Sequence, residues 1–531
     1  MVPPLAFLAV FFVYPLVSIL RESFTRVDGG LLSTFGNVLG DAALRDVIWF
    51  TAWQAAVSTV LTLLVALPGA YVFARYDFPG KGVVRALATV AFVLPTVVVG
   101  SAFLALLGPS GPLGVDLVGT VWAIFIAHVF FNYAVVLRTV GGFWANLDPR
   151  AVDAARVLGA SRLRAFRSVT LPLLRPAITS AALIVFLFTF TSFGVILILG
   201  GSTHATIEVE IYRQTTQFLD LPFAAALSVL QLLAVSAVLL VYGRSQRTGT
   251  VEQPLRSRGE TTRRPRGAGQ WSLVGVNLAV VVALIGVPIG VLVQRSFDTA
   301  TGLGLRYYRE LAADPRGSTL FVPPIEAIRN SLVFALVATL IAVVLGTMIA
   351  VVVTSPGATR RGLDLLVMLP LGASAVTLGF GFLIALDQPP FDLRSSPWLI
   401  PIAHALVATP FVVRVLVPVL RSIDSRLREA ATMLGAGPVR AWREVDLPIV
   451  GRAVAVGAGF AFAISMGEFG ATAFIARPDY PTIPIAIFRF LGQPGALSFG
   501  QAMAMSTILV AVTATAVFLI DRVRVGNVGQ F

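Results

Sequence analysis

About twelve apolar runs, each long enough to cross a lipid bilayer as a helix, constrain the fold of this chain more than any other feature. A spanning helix needs about 20 apolar residues, because each residue rises about 1.5 Å through about 30 Å of hydrocarbon. With 56% apolar and 13% charged residues, the chain is too hydrophobic for a soluble enzyme. We therefore predict an all-α polytopic membrane protein, with runs near 2–20, 47–74, 84–107, 119–141, 177–199, 222–242, 271–294, 329–354, 364–386, 397–417, 453–475 and 498–520.

The distribution of arginine predicts how these helices are oriented. The net charge is +13, and basic residues cluster in alternate loops, near 75–85, 138–175, 243–270, 355–361, 414–452 and 521–531. Because cytoplasmic loops carry an excess of basic residues, both termini are predicted to lie in the cytoplasm. Arginines placed between apolar runs do not indicate nucleic-acid binding. The chain has no cysteine and three histidines, so we predict neither a metal site nor a cofactor.

Comparison of the two halves of the sequence reveals an internal repeat. The segment Trp122 to His128 recurs as Trp398 to His404, an offset of 276 residues. The repeat predicts two homologous six-helix units in parallel orientation, with a pathway between them. The predicted boundaries are 1–242 for the first unit, 243–270 for an Arg-rich cytoplasmic linker and 271–531 for the second unit. Other pairs at the same offset are Arg138 and Arg414, Asp148 and Asp424, Gly159 and Gly435, and Phe193 and Phe469.

Both units carry the same polar loop after their fourth apolar run. Asp148 and Asp424 are suited to cap the start of a short helix, and a glycine 11 residues later is suited to end it in the left-handed conformation. A second short helix is expected to follow and to stop at a Leu-Pro pair. Small alanines and a carboxylate would let this pair of helices dock into a partner. The predicted docking residues are Asp153, Ala154, Ala155, Gly159, Leu171 and Pro172, and Glu429, Ala430, Ala431, Gly435, Leu447 and Pro448.

The spacing of these loops resembles the E-A-A-x3-G-x9-I-x-L-P signature of permease subunits of bacterial ABC importers. The departures are mild: Asp153 stands for Glu, and Val169 and Val445 stand for Ile. The resemblance implies a fused type I permease in the inner membrane, whose loops are coupling helices. It also implies two copies of a cytoplasmic ATPase and an extracytoplasmic substrate-binding protein. The chain itself has no G-x-x-x-x-G-K-[ST] loop around its only lysine, Lys81, so it is not predicted to be an enzyme.

Two branches of fused permeases are similar enough to suggest a substrate. Four segments look closest to permeases for thiamine or thiamine pyrophosphate, and ferric-iron permeases are the neighbouring branch. The segments are 53–55, 127–132, 192–212 and 465–470. A 6+6 secondary transporter driven by an ion gradient is a further alternative. It would leave the paired loops unexplained.

Five polar residues near the membrane interior are candidates for the pathway. A carboxylate at mid-membrane costs about 2.5–3.5 kcal/mol on insertion scales, so Glu468 should face protein or water. Its repeat partner is Ser192; the other candidates are His128, Asn132 and His404. Each has two possible roles, either contact with the substrate or a hydrogen bond that anchors packed helices. Glu208 and Glu210 are expected in a solvated outer loop.

Overall fold

The computed structural model describes residues 2–25, 40–249, 262–313, 320–354, 370, 373–387, 389 and 391–523. The described helices of the first unit are α1 Val2–Ser23, α2 Ala42–Arg75, α3 Lys81–Val93, α4 Thr96–Leu107, α5 Val121–Asn146, α6 Pro149–Val157, α7 Arg162–Phe190, α8 Gly194–Leu199, α9 Ile207–Arg213 and α10 Leu221–Gly249.

Within the described residues, the second unit has a similar order of elements. A two-strand hairpin, β1 Asp298–Thr299 and β2 Gly302–Leu303, follows its first helix. The described helices are α11 Ala268–Phe297, α12 Arg306–Arg309, α13 Pro324–Thr354, α14 Ala375–Ala385, α15 Leu399–Ser422, α16 Ser425–Met433, α17 Pro438–Gly467, α18 Thr472–Ile475, α19 Ile483–Leu491 and α20 Ala496–Val523.

The all-helical membrane architecture predicted from the sequence is confirmed. Within the described residues, ten helices are long and apolar enough to cross a membrane, or eleven if the bent pair α3–α4 counts as one span. Residues 250–261 of the predicted linker lie outside the described residues; α10 extends into the linker as far as Gly249, and α11 begins within it at Ala268. The first part of the predicted run 364–386 also lies outside them, and α14 is its described remainder.

The predicted run 84–107 is not one straight helix. It breaks into α3 and α4, which meet at an angle of 106°. Pro95 causes the break, because a proline ring disfavours the helical conformation of the residue before it, and Leu94 is extended at ψ 139°. The irregular backbone at the break is packed inside the protein, as the absence of water in a membrane requires, since Leu94 and Val97 are buried.

The two units are built alike, and the first helix of each unit packs against the other unit. Helices α2, α5 and α7 pack together in the first unit, and α13, α15 and α17 do the same in the second. Helix α1 packs against α14 of the second unit, and α11 packs against α4 of the first. The contact of α9 with α14 is likewise matched by that of α19 with α4. Each unit is therefore held by elements of the other, which joins them around a shared interface.

Candidate functional site

The first predicted docking loop forms a capped helix, α6. The carboxylate of Asp148 accepts a hydrogen bond from the backbone N–H of Arg150 at 2.9 Å, which satisfies one of the unpaired donors at the start of the helix. Gly159 ends the helix at φ 88°. There the backbone N–H of Ala160 donates to the carbonyl of Ala155 at 3.0 Å, as in a Schellman motif.

The second loop repeats this geometry in α16. Asp424 caps the helix through the backbone N–H of Arg426 at 3.0 Å, and Gly435 ends it at φ 84°. The backbone N–H of Ala436 donates to Ala431 at 3.0 Å. The two loops are thus built alike to the level of individual hydrogen bonds. The exposed predicted docking residues are Asp153, Ala154, Gly159, Leu171, Pro172, Glu429, Ala430, Gly435, Leu447 and Pro448, and the half-exposed ones are Ala155 and Ala431.

Each docking helix ends in a pair of exposed apolar side chains, which we call the apolar tips. Val157 and Leu158 are 87% and 88% exposed, and Met433 and Leu434 are 88% and 89% exposed. The tips are equivalent at the offset of 276. Exposed apolar side chains continue into the next helix, where Leu163 and its repeat partner Val439 are 59% and 80% exposed. An apolar patch repeated in both units is typical of a surface that a protein partner covers. Sequence reasoning missed these four residues, although their shared offset and chemistry were a usable signal.

The expected stop at the Leu-Pro pairs is wrong. Helix α7 runs without interruption from Arg162 to Phe190, and α17 from Pro438 to Gly467. A five-residue π-helical turn precedes each Leu-Pro pair, and the N–H of Leu171 bonds to the carbonyl of Phe166. The wider turn makes room for the proline ring, which would clash with the preceding turn of an α-helix. Each docking loop is therefore joined directly to a long membrane helix.

In the first unit, three of the predicted pathway residues lie together. His128 on α5 lies between two hydroxyl groups: its Nδ1 is 2.9 Å from Ser58 Oγ, and its Nε2 is 2.9 Å from Ser192 Oγ. The amide of Asn132 donates to the backbone carbonyl of His128 at 2.9 Å. The histidine is 2% exposed. It therefore links α2, α5 and the chain break that follows α7.

The histidine of the second unit also lies between two hydroxyl groups, but these come from α17 and α18, and a carboxylate is added. His404 Nδ1 is 2.7 Å from Ser465 Oγ, and its Nε2 is 2.8 Å from Thr472 Oγ1. Glu468 Oε2 lies 3.4 Å from the same Nε2. The carboxylate also accepts backbone hydrogen bonds from Ala471 at 2.8 Å and Thr472 at 3.1 Å. His404 and Glu468 are 2% and 7% exposed, so this network is enclosed in protein.

Four aromatic rings meet where the two units face each other, and we call them the ring quartet. Two of them directly follow α7 and α17, and the other two lie on α9 and α19. Phe193 stacks on Phe469 with ring centroids 5.3 Å apart and planes 21° apart. Tyr212 and Phe488 are 6.4 Å apart, and within the units Phe193 contacts Tyr212 and Phe469 contacts Phe488. Both cross-unit pairs join residues 276 apart. The quartet therefore has the twofold symmetry of the repeat.

Glu208 is not the solvated loop residue that was expected. It is fully buried; its Oε1 accepts a hydrogen bond from Gln231 Nε2 at 2.9 Å and its Oε2 accepts one from Ser374 Oγ at 2.9 Å. Ser374 belongs to the second unit, so this carboxylate joins the two halves. Glu210 is 9% exposed and accepts a hydrogen bond from Gln214. The segment 191–220 folds inward between the units, which hydropathy alone does not indicate.

The duplicated helical unit, with one capped and exposed short helix per copy and a shared interface, defines a two-unit membrane permease. Residues 66–248 and 323–525 match the family described as "Binding-protein-dependent transport system inner membrane component". The chain belongs to this family, and it is a multi-pass inner-membrane permease subunit of the ABC importer class. The alternative of a secondary transporter is not retained.

Relatives of known name extend over both units. The thiamine transport system permease protein ThiP of Escherichia coli K12 is 28% identical over 85% of this chain and 84% of its own length. ThiP of Brucella abortus is 27% identical over 85% of this chain and 83% of its own. A protein of Sinorhizobium fredii named "Probable ABC transporter permease protein y4fN" is 24% identical over 97% and 94%.

Proposed function

We propose that this chain forms the translocation pathway of an ATP-dependent thiamine importer and couples it to two copies of a separate cytoplasmic ATPase. The observation that carries the coupling is the pair of apolar tips on α6 and α16. Because the tips occupy equivalent positions of two repeated units, one kind of ATPase surface fits both. The partner hydrolyses ATP, since this chain lacks the phosphate-binding loop. An extracytoplasmic binding protein delivers the substrate.

Helices α7 and α17 transmit movement from the docking loops to the interface between the units. Each has about 30 residues and so reaches about 45 Å, at about 1.5 Å per residue. Helix α7 begins beside the first docking loop and ends at Phe190, just before Ser192 and Phe193. Helix α17 likewise ends just before Glu468 and Phe469. A partner that pulls the docking helices together or apart therefore acts on both stacked rings of the quartet.

The ring quartet closes the pathway, and the two histidine networks hold its backbone in place. Phe193 and Phe469 are 6% and 2% exposed, so the stacked pair leaves little space between the units. His128 and His404 tie the chain breaks that carry these rings to their own bundles through Ser192, Thr472 and Glu468. Glu468, His128, His404, Ser192 and Asn132 are accordingly positioning residues, and the substrate passes where the rings separate.

Thiamine as the substrate rests on the two ThiP relatives, each of which covers more than four fifths of this chain. The test is uptake of labelled thiamine at low external concentration, in cells without this protein and in cells that carry it on a plasmid. Loss on deletion and restoration by the plasmid would support the proposal. Unchanged thiamine uptake with reduced ferric-iron uptake would retain the permease and refute thiamine.

The predicted orientation, with both termini in the cytoplasm, can be tested directly because the chain contains no cysteine. A single Leu158→Cys variant should react with a membrane-impermeant thiol reagent only in inside-out vesicles. Leu303→Cys, on the hairpin at the opposite end of α11, is the matched control and should react only from the outside. Both leucines are at least 79% exposed, so access to the reagent depends on sidedness. The reverse labelling pattern would refute the orientation.

A further inference from the structure

A groove on the lipid-facing surface of the second unit plays no part in the proposed coupling mechanism. It has a volume of about 640 Å³ and lies between α13, α17 and α20. Its walls are apolar apart from Thr339 and Thr515. Leu336 and Leu519 on its rim are 61% and 56% exposed, so the groove opens sideways, toward the surrounding membrane.

Small residues on α17 create this groove. Ala455, Ala458 and Gly459 line its α17 wall. A Cβ atom added to Gly459 would lie 2.3 Å from Cγ1 of Ile520, so the two helices touch backbone to side chain at this point. This contact closes the floor of the groove, while the small size of the α17 residues leaves its mouth open. The groove is therefore a shaped recess with a closed floor.

The dimensions of the groove fit a lipid chain. Along α20 it extends from Ala511 to Val523, which is about 18 Å at about 1.5 Å per residue. This is close to the depth of one leaflet, about half of 30 Å. The volume of about 640 Å³ is spread along this length, so the groove is long and narrow, as an extended acyl chain requires.

Positive charge stands at one end of the groove. Arg452 lies one turn before Ala455 on the same stripe of α17, and Arg522 lies one turn after Leu519 on α20. Both arginines are exposed, and the Arg522 guanidinium lies over the ring of Phe518 at 4.5 Å. This end is on the side of the docking loops, from which α17 enters the membrane. Arginine side chains at this depth can reach the headgroup region.

We propose that this groove binds one acyl chain of an anionic phospholipid from the cytoplasmic leaflet, whose phosphate is held by Arg452 and Arg522. The leaflet rests on the orientation given under Proposed function. Arginine binds phosphate through two parallel N–H donors, and basic pockets between membrane helices on the cytoplasmic side suit anionic headgroups. The anionic headgroup supplies specificity, and the buried chain supplies the apolar contact.

The first unit provides a natural comparison because its equivalent positions are filled. At the offset of 276, Thr515 and Ala516 correspond to Leu239 and Leu240, and Gly459 corresponds to Leu183. The positions of Arg452 and Arg522 are taken by Pro176 and Gln246. The sequence features that make the groove are therefore restricted to the second unit. One site per chain is expected, rather than two.

The test measures phospholipid retained by the purified full-length chain, extracted from vesicles with equal amounts of phosphatidylglycerol and phosphatidylcholine. Native mass spectrometry should show about one tightly held phosphatidylglycerol per chain. The double variant Arg452→Gln, Arg522→Gln should bind it about 30-fold more weakly, from about fivefold per arginine near an anionic headgroup. The matched control Arg175→Gln, at a similar depth in the first unit, should retain the lipid as wild type does.

A second variant, Thr515→Leu with Ala516→Leu, fills the groove with residues that the first unit already uses. It keeps both arginines, so it should lose the lipid without losing charge and should remain folded. Equal retention of both phospholipids by wild type, or unchanged phosphatidylglycerol on the filled variant, would overturn the proposal. Retention is measured without transport, so a failed uptake experiment would leave this result standing, and the reverse also holds. A reversed labelling pattern would leave the binding standing but would place the lipid in the opposite leaflet.

Discussion

The substitution Leu434→Ala tests whether the apolar tip of α16 is the docking contact for the ATPase. Leu434 is 89% exposed, so truncating it removes almost no contact within the chain itself. If the ATPase buries this side chain, the substitution removes about three carbons from the interface. At about 0.8 kcal/mol for each buried carbon, the loss is about 2.4 kcal/mol.

A loss of about 2.4 kcal/mol corresponds to binding that is about 50-fold weaker at that docking site. The second site, at Leu158, should keep its affinity in the single variant and lose it in the double variant Leu158→Ala, Leu434→Ala. Folding should be unchanged, because both leucines are at least 88% exposed. The prediction therefore separates binding of the partner from stability of the membrane domain.

The assay is titration of the chain in lipid nanodiscs with purified ATPase, together with its thermal unfolding temperature. Leu303→Ala is the matched control, since Leu303 is 79% exposed but lies on the hairpin β1–β2 away from the docking loops. Affinity unchanged in the double variant would refute the assignment of the tips. If the double variant also unfolds at a lower temperature than wild type, the premise that the tips contribute nothing to folding would be refuted.

Three further substitutions test the other parts of the site. Gly435→Ala places a side chain at φ 84° and should destabilise the end of α16 by about 1–2 kcal/mol. The measurement is hydrogen exchange of the backbone amides, which should be faster there, whereas Gly437→Ala at φ −67° should leave it unchanged. Glu468→Gln keeps one of the two oxygens that accept backbone N–H groups, so the free energy of unfolding should fall by about 1 kcal/mol. Uptake should fall in proportion. Lost uptake at normal stability would instead mark Glu468 as a pathway residue. Phe469→Ala opens the ring quartet and should let solute leak out of liposomes without ATP, whereas Phe103→Ala, whose buried ring packs on Phe130, should not. Equal leaks would refute the quartet as the closure.

The sequence alone determined the membrane class, the repeat and the capped short helix of each repeated loop, because each depends on local or periodic information. About 20 apolar residues make a spanning helix wherever they stand. Asp148 and Asp424 cap helices through N–H groups two residues away, and Gly159 and Gly435 end them through their own backbone freedom. These contacts lie within about ten residues of chain, so the pattern of residues is sufficient to predict them.

The tertiary structure alone decided how the halves are joined. Glu208 reaches Ser374 across 166 residues, and Phe193 stacks on Phe469 across 276. A hydropathy pattern reports how apolar a segment is and carries no information on which distant segment it meets. The inward fold of the segment 191–220 and the exchange of α1 and α11 therefore had no signal of their own. The repeat offset related Phe193 to Phe469 but not Glu208 to Ser374, and only the packing of the two units shows that both pairs are in contact. The units pack this closely because burying an unpaired carboxylate, or leaving a cavity between them, would cost too much.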